Sequence, residues 1–111
     1  PDPERLRGAL TLAAAQAALG GRARLFLQLD AVALLRAPIA APRDAGHKAA
    51  GLPSLEELLA EALSLGVALS ACQSGMSLAG LSLADLPPGT EVTGPIALLQ
   101  AQTEADRLIF A

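Results

Sequence analysis

The chain of 111 residues contains no tryptophan and no tyrosine, and its aromatic side chains are those of Phe26 and Phe110. Its apolar fraction of 52% therefore comes mainly from alanine and leucine. A core without large aromatic side chains must gain its packing density from close approach of helices to a sheet. Because excess apolar surface favours self-association, we expect a homo-oligomer.

Positive charge is also scarce. Eight Lys and Arg residues against eleven Asp and Glu residues give a net charge of −3, and the basic residues are scattered along the chain. Nucleic-acid binding needs a concentrated basic surface, so we predict no nucleic-acid partner. A single histidine and a single cysteine do not make a zinc ligand set. The pair Gly20-Gly21 follows a helix rather than a strand, so it is not a glycine-rich phosphate-binding turn. We therefore predict neither a metal site nor a cofactor.

One cysteine cannot form a disulfide within the chain, and no basic-then-apolar leader precedes the first helix, so we predict a cytoplasmic protein. Residues 62–84 carry no charge and are long enough to span a bilayer. Five serines and three glycines divide this stretch into pieces of strand and turn length. We therefore predict that the chain does not enter a membrane.

Helical and strand-like patterns alternate along the chain, which predicts one α/β domain over residues 1–111. Asp2 is placed to cap the first helix, and Ser54 and Glu57 have the spacing of a capping box. The predicted helical segments are Pro3 to about Leu19, Ala31 to Leu35, Leu55 to Leu65, Ser74 to Ala79, Ser82 to Leu86 and Ile96 to about Ala105; the predicted strands are Ala23–Leu29, Val67–Ala71, Thr90–Thr93 and Leu108–Phe110.

Two segments depart from this alternation. A helix that begins near residue 2 normally follows a strand, so we expect a further strand before Pro1. Residues 37–53 contain three prolines, two glycines and His47 without periodicity, which predicts a mobile surface loop that could act as a lid.

Cys72 is the strongest functional candidate, because it stands between an apolar strand and a turn that opens a helix. Backbone amides at the start of a helix favour a thiolate, and a thiolate is a nucleophile. We expect the amides of Ser74, Gly75 and Met76 to stabilise it. Asp30 ends the preceding strand and could border the same pocket.

Each of these residues also has a structural interpretation. A free cysteine packs like a small apolar residue, and Met76 fills core or interface space equally well. Ser74 and Ser77 suit a helix cap, and Asp30 suits a cap for the following turn. His47 suits a solvated loop better than a Cys–His catalytic pair.

The order and spacing of several segments resemble the DsrE/DsrF-like proteins, which include TusD-related sulfur-relay subunits. The resemblance rests on the alanine-rich first helix, Leu25-Phe26-Leu27 before Asp30, the helix Leu55 to Leu65, Ala71-Cys72, Gly75-Met76, Gly80-Leu81, Ala84-Asp85-Leu86 and the segment Ala105 to Phe110.

This resemblance implies a three-layer α/β/α sandwich with a mainly parallel sheet of about five strands, assembled as dimers, trimers or hexamers. In the sulfur-carrying members, a cysteine after a central strand accepts sulfane sulfur as a persulfide and passes it on. Cys72 matches that position. The partners so implied are a sulfur-donor protein and a sulfur-acceptor protein.

Three functions follow from these observations. The first is a sulfur carrier that uses Cys72, and a carrier of this kind needs only one cysteine. The second is a non-catalytic oligomeric module that binds a small molecule or a protein, with Cys72 in a packing role. The third is an enzyme that joins Cys72 and His47 across a subunit boundary. Exposure of the sulfur distinguishes the first from the second.

Overall fold

The computed structural model describes residues 2–101 and 106–110. The helices and strands follow the predicted alternation. In chain order they are α1 (Pro3–Ala18), β1 (Arg22–Leu27), a 3₁₀ helix (Leu29–Leu35), α2 (Asp44–Ala49), α3 (Leu55–Ser64), β2 (Ala68–Cys72), α4 (Gln73–Ala79), a second 3₁₀ helix (Leu83–Asp85), β3 (Glu91–Thr93), α5 (Pro95–Ala101) and β4 (Asp106–Phe110). The predicted end of the last helix, near Ala105, lies outside the described residues.

The strands form one parallel sheet in the order β3-β2-β1-β4. Helices flank this sheet, so the predicted α/β class with a parallel sheet is confirmed. The described residues supply four strands where about five were predicted. Strand β1 pairs with β2 on one side and with β4 on the other. Both sides of β1 are thus paired, and the strand expected before Pro1 stays a prediction.

The core lies between the sheet and helices α1 and α3. Alternate residues of β1, Ala23, Leu25 and Leu27, are almost fully buried, because a strand presents every second side chain to the same face. Helix α1 packs on both β1 and α3. The two helices contribute the buried residues Leu6, Ala9, Leu10, Ala13, Leu55, Leu58, Leu59 and Ala62.

Both predicted helix caps are present. The Asp2 carboxylate accepts a hydrogen bond of 3.0 Å from the Glu4 amide at the start of α1. At the start of α3, the Ser54 hydroxyl accepts from the Glu57 amide and the Glu57 carboxylate accepts from the Ser54 amide. These bonds satisfy amides that a helix leaves free at its first turn, which fixes where each helix begins.

Residues 37–53 lie at the surface, as the sequence predicted, but they are not irregular throughout. They contain α2, and charged side chains tie the segment to α1. His47 Nε2 lies 2.7 Å from Glu4 Oε1, and Arg7 of α1 donates to Asp44 Oδ1 at 2.7 Å and to the Pro53 carbonyl at 2.9 Å. The sequence analysis missed α2 because the segment is held by residues distant in sequence rather than by its own periodicity.

Glu4, Arg7, Asp44 and His47 together form what we call the Arg7 anchor. Only 8% of Arg7 is exposed, and its guanidinium also donates to Glu4 at 3.1 Å. Asp44 accepts further bonds from the amides of Ala41 and Leu55, so one carboxylate joins three segments of chain. A charged group as buried as the Arg7 guanidinium remains stable because it is paired.

No helix in the described residues is long and apolar enough to cross a membrane. The uncharged stretch at residues 62–84 divides into the end of α3, strand β2, helix α4 and the start of the second 3₁₀ helix. Its glycines and serines therefore mark breaks between short elements, as the sequence predicted.

Candidate functional site

Cys72 is the last residue of β2 and directly precedes the first residue of α4. Its backbone is still extended, with φ −67° and ψ 129°, so the chain turns into the helix immediately after it. The residue is 8% exposed and belongs to the same buried cluster as the core. Exposure alone therefore favours the packing interpretation of this cysteine.

The surroundings of the Cys72 sulfur favour its ionised form. Burial raises the pKa of the thiol, but hydrogen bonds from the amides of Leu29, Gly75 and Ser74, and from the Ser74 hydroxyl, outweigh it. The net effect holds the pKa of Cys72 below its ordinary value. Donors that converge on a sulfur stabilise its negative charge more than its neutral form. The site is therefore suited to a thiolate.

Leu29 supplies one of these amides from the start of the 3₁₀ helix that follows β1, the strand that neighbours β2. Its φ is +48°, a left-handed conformation that is uncommon for a residue other than glycine. Such conformations cost free energy and occur often at functional sites. The sequence analysis did not identify Leu29, because its contribution comes from its backbone and no side-chain pattern signals it.

Gly75 lets α4 approach the first 3₁₀ helix closely. A Cβ atom at this position would overlap the Leu29 carbonyl oxygen and would come within 2.5 Å of Val32 Cγ2. Only glycine fits without a shift of the backbone. The close approach therefore depends on the missing side chain, and it places the amides of Gly75 and Leu29 beside the same sulfur.

The structure brings together only some of the predicted site residues. Hydrogen bonds from Ser74 and Gly75 lower the pKa of the Cys72 thiol, and a role of these residues in binding substrate stays a prediction. The Met76 side chain is buried in the core, and Leu29 supplies an amide that the sequence analysis had not identified. Asp30 lies exposed in the first turn of the 3₁₀ helix, one residue after Leu29.

His47 belongs to the Arg7 anchor. Its Nε2 atom bonds to Glu4, and 20% of its side chain is exposed. Within the described chain it is therefore paired with a carboxylate on α1 rather than with Cys72. Among the described residues, no three His, Cys, Asp or Glu side chains converge in a way that could hold a metal ion.

Two sizeable cavities lie away from the cysteine. One of about 420 Å³ runs between α1 and α3, from Arg7 and His47 towards Leu65. The other, of about 470 Å³, lies beside α3 between Leu35 and Pro88. Cys72 lines neither of them.

Comparison with protein families gives a match to the DsrE/DsrF-like family over residues 1–111, the whole chain. At the level of the family, this match supports a role related to sulfur relay. A search of curated proteins gives no significant match.

Proposed function

The chain belongs to the DsrE/DsrF-like family, and from this premise we propose that it is a sulfur carrier whose acceptor atom is the sulfur of Cys72. The observation that carries the proposal is the set of donors from Leu29, Ser74 and Gly75 around that sulfur. A structural cysteine needs no such donors, whereas a nucleophilic thiolate does. No side chain other than Cys72 is required for sulfur uptake.

The proposed reaction is an exchange between sulfur atoms and involves no net oxidation. The Cys72 thiolate attacks the terminal sulfur of a donor persulfide, R–S–SH. A bond forms between that sulfur and Cys72, the R–S bond breaks, and its electron pair leaves as the donor thiolate. An acceptor thiolate then attacks Cys72–S–SH in the same way, takes the sulfur and restores the Cys72 thiolate.

Access to the sulfur requires a small opening of the structure. Because Cys72 is 8% exposed, we expect a donor to reach it only when the structure opens locally, and the Leu29 segment beside the sulfur is the candidate for that movement. The strained backbone of Leu29 lowers the cost of such an opening relative to the core strands. A reducing cytoplasm, as predicted from the sequence, suits a carrier that keeps a free thiol.

Self-association is part of the proposal. The side chains of Leu12, Leu19 and Leu78 are 66%, 86% and 67% exposed, and they supply apolar surface that a second copy of the chain could cover. A homo-oligomer would cover some of them, and sulfur-donor and sulfur-acceptor proteins would bind near Cys72. Sedimentation of the full chain at several concentrations measures the oligomeric state.

The test is direct sulfur loading. We expect the full chain, incubated with a low-molecular-weight persulfide and weighed intact, to gain the mass of one sulfur atom, and Cys72→Ser to gain none. Persulfide loading that is equal in the two proteins, or absent in both, would contradict the carrier function.

A non-catalytic binding module is the second candidate, and the burial of Cys72 favours it. In that case the folded protein would resist alkylation of Cys72 at every pH below unfolding. Alkylation that proceeds in the folded state would exclude this candidate.

A further inference from the structure

Ser70 carries a buried hydroxyl that has no partner. The residue is 1% exposed, and its Oγ makes no hydrogen bond within the part of the chain that the structure describes. A buried hydroxyl normally has a partner, because leaving one unpaired costs free energy. An unpaired buried hydroxyl of this kind indicates either a hydrogen-bond partner that is present only in another state of the protein or a bound water.

The position of Ser70 relates it to the sulfur site. Ser70 and Cys72 are two residues apart on β2, so their side chains point to the same face, while Leu69 and Ala71 point to the other. Two residues of a strand span about 7 Å. Phe26 of β1 pairs in register with Ser70 on one side, and its side chain is also buried. Glu91 of β3 pairs in register with Ser70 on the other side, and it is exposed. On β2 itself, the Ser70 hydroxyl is the next polar group inward from Cys72.

We propose, building on the sulfur-carrier function above, that Ser70 is a positioning residue whose hydroxyl donates a hydrogen bond to the terminal sulfur of the Cys72 persulfide. The new S–S bond extends the Cys72 side chain by about 2 Å, and it extends it towards the Ser70 hydroxyl when it is directed inward along β2. The amides of Leu29, Ser74 and Gly75 hold the inner sulfur, and Ser70 holds the outer one. The hydroxyl that is unpaired in the unloaded protein gains its partner when sulfur is bound.

This arrangement would protect the bound sulfur from small nucleophiles. Cyanide attacks the terminal sulfur of Cys72–S–S⁻; a carbon–sulfur bond forms, the S–S bond breaks, and thiocyanate leaves with the Cys72 thiolate restored. A hydrogen bond to the terminal sulfur stabilises the loaded state, so a small nucleophile attacks that sulfur more slowly. Its loss should therefore speed the reaction without changing how much sulfur is taken up.

The experiment compares four full-length proteins loaded with glutathione persulfide: the wild type, Ser70→Ala, Ser70→Thr and Ser77→Ala. Ser77 is exposed on α4, so Ser77→Ala is the matched control that removes a serine hydroxyl elsewhere. We expect all four to gain one sulfur by intact mass. Thiocyanate release from Ser70→Ala should be about three- to tenfold faster than from the wild type, which corresponds to one hydrogen bond. Ser77→Ala should match the wild type, and Ser70→Thr, which keeps the hydroxyl, should remain close to it.

The melting temperature is a second measurement, and it distinguishes a positioning role of Ser70 from a packing role. We expect the unloaded Ser70→Ala protein to melt at or above the temperature of the unloaded wild type, because it loses an unpaired buried hydroxyl. Loading should raise the melting temperature of the wild type more than that of Ser70→Ala. A water-bound hydroxyl would instead give an unloaded Ser70→Ala protein that melts lower, with unchanged release rates, and this result would overturn the proposal.

The remaining outcomes distinguish the two proposals. Loading of all four proteins followed by equal release rates would overturn the role of Ser70 and leave the carrier function standing. Failure of the wild type to load would overturn the carrier function, and the role of Ser70 with it.

Discussion

The Cys72 end of the sheet and the Arg7 anchor both lower the pKa of an acidic group, but they do so by different means. At Asp44 the largest contribution comes from the Arg7 guanidinium, which together with the amides of Ala41 and Leu55 brings the pKa of the carboxyl to about 2. At Cys72 every favourable contribution is a hydrogen-bond donor, and most are backbone amides. A charged side chain can be replaced by mutation, whereas a backbone amide can be moved only through the conformation that presents it. We therefore expect changes in the anchor to alter stability, and changes near Cys72 to alter chemistry.

The largest expected effect is the loss of sulfur chemistry on removal of the thiol. Cys72→Ser should abolish persulfide uptake and alkylation entirely, while the free energy of unfolding changes by no more than about 1 kcal/mol, because the side chains are similar in size. Intact mass after persulfide treatment and a denaturant titration measure the two effects. A variant that still takes up sulfur would place the acceptor elsewhere.

Gly75→Ala should damage both stability and chemistry. The added methyl group meets the Leu29 carbonyl and the Val32 side chain, so we expect a loss of about 2–3 kcal/mol in unfolding free energy. Displacement of α4 also moves the amides away from the sulfur, so the pKa of Cys72 should rise towards its ordinary value. Denaturant titration and the pH dependence of alkylation measure these changes.

Gly8→Ala is the matched control for this change. Gly8 lies within α1, and a Cβ atom there would meet nothing within 4 Å. Alanine favours a helix over glycine by about 1 kcal/mol, so this variant should be slightly more stable than the wild type. A Gly75→Ala protein that behaved like Gly8→Ala would show that the close approach of α4 to Leu29 is not required.

Arg7→Met should affect stability without affecting the cysteine. This change keeps the apolar part of the side chain but removes the guanidinium that donates to Asp44 and to the Pro53 carbonyl. We expect a loss of about 2 kcal/mol of unfolding free energy. Arg43→Met is the control, because Arg43 also pairs with Glu4 but is largely exposed, with 3.6 Å between its Nη1 and Glu4 Oε1. Its effect should stay below about 0.5 kcal/mol. A change in the alkylation profile of Cys72 on Arg7→Met would remove the contrast between the two regions.

Acid should remove the contribution of Asp44 in a defined pH range. The pKa of its carboxyl is about 2 in the folded protein, below the ordinary value of 3.8. A lowered folded-state pKa stabilises the protein above the unfolded-state pKa, and this stabilisation is lost as the pH falls through the folded-state value. The wild type should therefore be more stable than Asp44→Asn at neutral pH, and the difference should shrink between about pH 4 and pH 2. Thermal unfolding across this range measures it; a difference that did not depend on pH would contradict the ion pair.

The sequence predicted those parts of the molecule that depend on local patterns. Ser54 and Glu57 mark a helix start through their spacing, and Cys72 could be placed at a strand end because the apolar run before it is short. Leu29 could not be predicted, since its role depends on a left-handed backbone beside a neighbouring strand. Arg7 and Asp44 are 37 residues apart, so only the folded chain shows that they pair.

The rate of alkylation of Cys72 in the folded full chain, measured against pH, tests the central claim most directly. The donors around the sulfur predict a sigmoidal profile whose midpoint lies below the ordinary pKa of a cysteine thiol, in the wild type and in Arg7→Met alike. A midpoint at or above the ordinary value, or no alkylation until the protein unfolds, would contradict the account and identify Cys72 as a packing residue.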